Sequence, residues 1–263
     1  MKFYIVTDLE GPAGVNLWAQ TREGPTPANH AAKQLLTAET NAAVDGILEA
    51  APGSEIVVND GHGSGGLIFE ELHPAVKSLM HAVNEERANT FADAASYDAI
   101  LFVGQHAMAG TPNAPLCHTF SSRSIEYYKL NGQLVGEIGC IAARFGELGV
   151  PVIFLAGDDK ACAEARMHIP EIVTVATKEG LGIQRALHLS AITARQHIRE
   201  GAARAVQKMK EIKPYHIDPP YVLEIRVLEG INIDNWAKRG DYEVVDSRTV
   251  RRRAASINGL FAL

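Results

Sequence analysis

Apolar positions along this chain fall into short solid runs, and the longer stretches between them repeat with helical spacing. The runs are "FYIVT" (3–7), "EIVVN" (55–59), "AILFVG" (99–104) and "VPVIFLAG" (150–157). Each is short enough and apolar enough to be a strand buried on both faces. Between them, residues 27–51 are Ala-rich with a single breaker, Gly46, and predict a long helix. Residues 136–148 and 160–168 predict two more, on either side of the fourth run. A further strand is expected at about 124–130. Strands alternating with helices predict a three-layer α/β/α unit around a mostly parallel sheet.

After Thr177 the pattern changes. A helix is expected over about 190–210, followed by "KPYHIDPP" with its three prolines and then by "YVLEIRVL", which alternates like a half-exposed strand. The expectation is a catalytic core over residues 1–180 and a smaller mixed C-terminal portion over 181–263, able to form subunit contacts. A length of 263 residues and a hydrophobic content of 46% fit such an arrangement. The net charge of −6 argues against a nucleic-acid partner. The one basic cluster, "RTVRRRAA" (248–255), is expected to be a solvated or subunit-contacting face. No window is apolar enough to span a membrane. The N-terminus enters a strand pattern without the zones of a signal peptide, and the three cysteines show no CxxC spacing. Both features predict a cytoplasmic protein.

In open α/β sheets the chemistry collects beyond the carboxyl ends of the strands. Here those exits carry Asp8 and Glu10, then Asp60 and His62, then His106, then Asp158 and Asp159. His118 and Glu137 flank the expected strand at 124–130. Asp8 and Glu10 share a direction if the strand runs on through them, and two adjacent carboxylates repel unless a cation lies between them. A turn role for the pair stays open. His62 lies among turn formers, and Gly61-x-Gly63-x-x-Gly66 matches a dinucleotide fingerprint after a strand. That reading needs an acid about twenty residues on. Glu85 and Glu86 are available, but in the polar run "NEERAN". The glycines are better read as folding the backbone tightly around His62.

Three histidines and a carboxylate pair at the exits of one sheet suit a divalent metal, since Zn²⁺ takes imidazole nitrogen and carboxylate oxygen. Glu137 should fall in the first turn of a helix, where the dipole favours an acid. Asp158 and Asp159 precede a helix and suit its N-cap. Cys117, beside His118, is read as a buried, inert thiol. His30, His73, His81, His168, His188, His197 and His216 receive no role.

Taken in order, "TDLEG", "NDGHG", "GQHAMAGTP", "CHTF", "NGQLVGEIG" and "AGDD" resemble the bacterial zinc-dependent D-aminopeptidases. The similarity extends to "ELHP" (71–74) and, more loosely, to "NWAKRGDYEVVDSRTV" (235–250). The resemblance implies a dinuclear zinc site, two ions per chain, with Asp8 bridging and Glu10, His62, His106 and Glu137 completing the ligands. His118 would take the catalytic histidine role. A small peptide substrate, selectivity for D-residues and a ring-like homo-oligomer are implied by the resemblance alone. Five ligands over two ions would leave positions open for water and substrate, as in catalytic sites. The departures from the family lie in "NLWAQTREGPTPAN" (16–29) and "GHGSGG" (61–66), which predicts a reshaped substrate pocket. The alternatives are a two-metal phosphoesterase or other amidohydrolase, a dinucleotide enzyme built on residues 61–66, and a non-catalytic peptide-binding protein.

Overall fold

The computed structural model describes residues 1–22, 24–80 and 93–261. His81, Glu85 and Glu86 lie outside the described residues. The first sheet has seven strands, β1 (Lys2–Thr7), β2 (Glu55–Asp60), β3 (Val76–Leu79), β4 (Ala99–Gln105), β7 (Val152–Asp158), β8 (Val173–Gly182) and β9 (Arg185–His188). Their spatial order is β3-β2-β1-β4-β7-β8-β9. All neighbours are parallel except β9, which returns antiparallel to β8. From β1 the chain adds strands first on one side and then on the other. The exits of β1 and β4 therefore form the switch point of the sheet, where α/β folds open a crevice.

A second sheet of five antiparallel strands has the order β11-β12-β10-β5-β6. It contains β5 (Ile125–Leu130), β6 (Gln133–Val135), β10 (Tyr221–Val227), β11 (Glu243–Asp246) and β12 (Thr249–Ala254). Across residue 180 the two sheets interleave. β5 and β6 enter the second sheet from before that point, while β9 belongs to the first from after it. Three arginines of the basic C-terminal cluster form ion pairs on or beside the second sheet, while Arg253 is exposed. Arg248 pairs with Glu126 at 2.9 Å, Arg251 with Glu224 at 2.8 Å and Arg252 with Asp241 at 2.8 Å.

After the single turn α1 (Trp18–Thr21), four helices cover the first sheet: α2 (Pro27–Ala50), α3 (Glu137–Glu147), α4 (Asp159–His168) and α5 (Ala191–Lys208). The pairs α2–α5 and α3–α4 each pack together and onto the strands. α2 begins where Thr26 caps the Asn29 N–H and Pro27 presets the first turn. Its buried face carries Leu36, Ala43 and Ile47, all without exposure. α2 and α5 approach so closely that a Cβ on Gly46 would lie 2.2 Å from the Arg199 carbonyl oxygen, so the one glycine in the helix is a contact requirement. Asp158 accepts from the N–H groups of Lys160 and Ala161, which is the cap role expected for it. Among the described residues, no helix is long and apolar enough to cross a membrane.

Candidate metal centre

The site forms where β1 and β4 end side by side. After Thr7 the chain keeps pairing with β4, with Asp8 N–H donating to the Val103 carbonyl at 3.0 Å and Gly11 N–H to Gly104 at 2.7 Å. This approach needs glycine on both sides. A Cβ on Gly11 would meet the Gly104 carbonyl carbon at 2.2 Å, and one on Gly104 (φ +81°) would meet the Asp8 oxygen at 2.0 Å. Asp8 and Glu10 are thereby fixed in the crevice, 7% and 2% exposed.

Three histidines face these acids. His62, beyond β2, places Nε2 3.4 Å from Glu10 Oε1. His106, directly after β4, places Nε2 3.1 Å from Asp8 Oδ2 and 3.5 Å from Glu137 Oε1. His118, in the connection from β4 to β5, stacks on His106 with centroids 4.0 Å apart and has Nε2 3.8 Å from Glu137 Oε1. Glu137 is the first residue of α3, and its Oε1 also accepts from the Phe120 N–H at 2.7 Å. The expected acid in a first helical turn is present, and its carboxylate reaches the crevice as well. Potential ligand atoms fall into two overlapping groups, Asp8–Glu10–His106 and His106–His118–Glu137, each within 4.8 Å. An imidazole nitrogen has one lone pair, so His106 can serve only one ion. A carboxylate such as Asp8 has oxygens for two.

The ring orientations suit a metal. Nδ1 of His106 lies 2.9 Å from the Ala107 carbonyl and Nδ1 of His118 lies 2.9 Å from Leu116. Each Nδ1 therefore donates to backbone, leaving a lone pair on the inward Nε2. Ser64 Oγ lies 3.2 Å from Nδ1 of His62, where either atom can be the donor. His106 Nε2 and Glu10 Oε2 are buried without a hydrogen-bond partner. Such atoms are costly unless something else satisfies them, and a divalent cation fits both.

Without an ion, the acids draw protons onto the histidines. Burial raises the Asp8 carboxyl, and neighbouring Glu10 raises it further. Burial alone would also raise Glu10, but the adjacent His62 outweighs it and holds the group well below its usual range. His62 is pushed up to about 9, its burial outweighed by Glu10, and His106 rises through Asp8 and Glu137. The crevice demands positive charge. His118 moves the other way, lowered by burial and then by His106.

A second layer, which sequence reasoning missed, holds the loop after Glu10. Lys178 on β8 is fully enclosed and donates to the carbonyls of Glu10, Pro12 and Val15. Thr177 Oγ1 donates to Gly11 at 2.7 Å, and Glu39 on α2 accepts from the Ala13 N–H at 2.9 Å. Glu164 on α4 accepts from the Met108 N–H at 2.7 Å, steadying the loop after His106. Of these, Glu39 alone left a signal, an acid placed among Leu36, Ala43 and Ile47 on an apolar helix face.

The Gly61–Gly66 loop closes on Asp60, whose Oδ1 accepts from the Gly66 N–H at 2.7 Å. It leads only to a three-residue 3₁₀ turn at Phe69–Glu71, so no helix N-terminus stands behind it to receive a pyrophosphate. Cys117 is half-buried with its thiol pKa raised by burial, as an inert thiol would be.

A family model described as D-aminopeptidase (Peptidase_M55) matches residues 1–263. The D-aminopeptidase of Bacillus subtilis (strain 168) is 31% identical over 226 residues, covering 84% of this chain and 78% of that protein. A solved structure, the Zn-dependent D-aminopeptidase DppA from Bacillus subtilis, described as a self-compartmentalizing protease, is similar with a TM-score of 0.90. It is 26% identical and covers 99% of this chain and 94% of its own.

Proposed function

This chain belongs to the Peptidase_M55 family of D-aminopeptidases, and from that premise we propose a zinc-dependent aminopeptidase that removes the N-terminal residue of short, D-amino-acid-containing peptides. Asp8, Glu10, His62, His106 and Glu137 are the residues that would hold two zinc ions. The observation that carries this reading is the convergence of Asp8, Glu10 and His106, whose ligand atoms lie within 4.8 Å of one another while Glu10 Oε2 is buried without a hydrogen-bond partner. Bound zinc supplies Lewis acidity toward the scissile carbonyl and toward water.

The protein's own contribution is proton transfer and positioning. The His118 side chain is 13% exposed, as is that of His62, against 1% for His106; His62 turns its Nε2 to Glu10 at 3.4 Å, and His118 is the imidazole we assign to the substrate. With Nδ1 held by Leu116, its Nε2 accepts a proton from the attacking water. As the C–N bond breaks, the same proton goes to the leaving amine. The water oxygen stays on the new carboxylate. Glu137, anchored by the Phe120 N–H, keeps His106 and His118 in register.

The self-compartmentalizing relative supports a ring-like homo-oligomer here as well. The free thiols of Cys117, Cys140 and Cys162 support a cytoplasmic location.

The test is zinc counting together with turnover. Wild-type protein should carry two ions and cleave D-aminoacyl peptides in preference to their L-counterparts. His118→Ala should keep both ions and lose roughly 10²–10⁴-fold in kcat. Metal loss in that variant would make His118 a ligand. A wild-type protein that binds no zinc would refute the dinuclear assignment.

A further inference from the structure

Residues 10–15 form an irregular, largely buried loop, and buried irregular backbone needs partners for its polar groups. Most of those partners here are side chains. Thr177 Oγ1 donates to the Gly11 carbonyl at 2.7 Å and Gln20 Nε2 to that of Gly14 at 2.9 Å. The N–H groups of Ala13 and Gly14 donate to Glu39 Oε1 at 2.9 Å and to His188 Nδ1 at 3.0 Å. Three more carbonyls, those of Glu10, Pro12 and Val15, converge on one atom, Nζ of Lys178. Lys178 is 2% exposed and stands on β8, with β7 and β4 between it and β1, so only a long side chain reaches this loop.

Three acceptors around one nitrogen call for three N–H donors. A charged ammonium supplies three, whereas a neutral amine supplies two and would turn a lone pair toward the third carbonyl. Among the described residues no carboxylate forms an ion pair with Lys178, and Asp158, Glu39 and Glu10 act on it only through space. Backbone dipoles therefore satisfy the charge, in the way a carbonyl cage replaces the hydration shell of a bound alkali cation. One of these carbonyls bears on the metal centre. The peptide group joining Glu10 to Gly11 is gripped on both edges, its C=O by Lys178 and its N–H by the Gly104 carbonyl at 2.7 Å. That group sets the direction in which the Glu10 side chain leaves the backbone, and Glu10 Oε2 is buried without a hydrogen-bond partner.

We propose that Lys178 is a tethered monovalent cation whose carbonyl cage positions Glu10 for zinc, and that truncating its side chain uncovers a site for a free primary ammonium ion. The inference rests on Glu10 holding zinc, as proposed above. Lys178 itself reaches the carbonyls and not the carboxylates of the crevice, so it is a positioning residue that acts through the Glu10 backbone.

The experiment titrates zinc into metal-free wild type, Lys178→Met and Lys178→Ala, each alone and with n-propylammonium, tetramethylammonium or 1-propanol at matched ionic strength. n-Propylammonium has the atoms that Lys178→Ala removes, tetramethylammonium has charge without N–H, and 1-propanol has the shape without charge. Zinc affinity should fall roughly 10–100-fold in both variants, the usual scale for a group that orients a ligand. n-Propylammonium should return most of it to Lys178→Ala, with saturation. Lys178→Met, whose side chain occupies the channel, and the wild type should not respond. The melting temperature of metal-free Lys178→Ala should rise with n-propylammonium alone. Wild-type zinc affinity in Lys178→Met, equal rescue by 1-propanol or tetramethylammonium, or a folded Lys178→Ala that n-propylammonium does not rescue overturns the proposal. If Lys178→Ala folds poorly, refolding yield replaces the titration. A gain specific to n-propylammonium then supports the proposal, and no gain or an equal gain in 1-propanol overturns it. If the wild type binds no zinc, the ligand assignment fails, and the melting-temperature rescue alone decides on the cage.

Discussion

Glu39 shows how a single buried acid tunes the ground on which the centre stands. It is 2% exposed, its Oε1 accepts the Ala13 N–H and its Oε2 has no partner. Burial pushes its pKa up to about 8 from an ordinary 4.5, against the opposing pull of the Ala13 N–H, Lys178 and Arg195. The sign follows from linkage. Between pH 4.5 and 8 the folded protein keeps a proton that the unfolded chain has lost, so this group's contribution to stability falls as pH rises through that window. Glu39→Gln keeps the acceptor oxygen and carries no titrating proton. The melting temperature of the variant relative to wild type should therefore climb across this window, at constant zinc, and level off above it. Parallel melting profiles would show that Glu39 is ionised in the folded protein. Glu39 was missed in the sequence although it left a signal there, an acid on an apolar helix face. Lys178 left none, because its partners are carbonyls of residues 10–15, remote in sequence and invisible to any local pattern.

The strands legible as solid apolar runs were those of the first sheet's centre, while β5 was expected at 124–130 and β10 showed as a half-exposed alternation. β1, β2, β4 and β7 appear in the sequence as solid apolar runs, and their exits carry the histidines and acids of the crevice. β3, with Val76, Lys77, Ser78 and Leu79, lies at the sheet edge and has no apolar run to announce it. β8 was obscured because buried Lys178 interrupts its alternation. Glu137 was read correctly as a first-turn acid, but no periodicity reveals that α3 aims it at His106. The close approach of β1 and β4 is a further element-level feature, and it has a measurable cost. Gly104→Ala places a Cβ against the Asp8 oxygen in a left-handed conformation, so the loop bearing Asp8 and Glu10 must move. A loss of roughly 3 kcal/mol or more is expected, with zinc affinity falling alongside it. Gly53→Ala is the control. It shares the positive φ (+75°) but meets nothing within 4 Å, and should cost only about 1–2 kcal/mol with zinc retained. Equal losses in denaturant melts, with zinc kept in both, would mean that the β1–β4 contact does not position the ligands.

At the scale of the whole molecule, the centre and the core are separate investments in stability. The main apolar cluster runs from Phe3, Tyr4 and Ile5 through Leu101 and Phe102 to Phe154 and Leu155, all within 1% of complete burial and all on strands, away from the loops that carry the candidate ligands. The candidate ligands sit beyond the strand ends, where removing an ion exposes polar groups to one another instead of opening the core. Small zinc domains without such a core unfold when the metal leaves. This protein should not. Stripping zinc with a chelator should abolish peptidase activity while far-UV circular dichroism stays unchanged. The melting temperature should drop by the amount mass action assigns to ions bound only by the folded state, and both properties should return when zinc is restored. Collapse of the dichroism signal on chelation would contradict that separation. It would mean that the mutual repulsion of Asp8, Glu10 and Glu137, no longer neutralised, is strong enough to pull β1 away from β4.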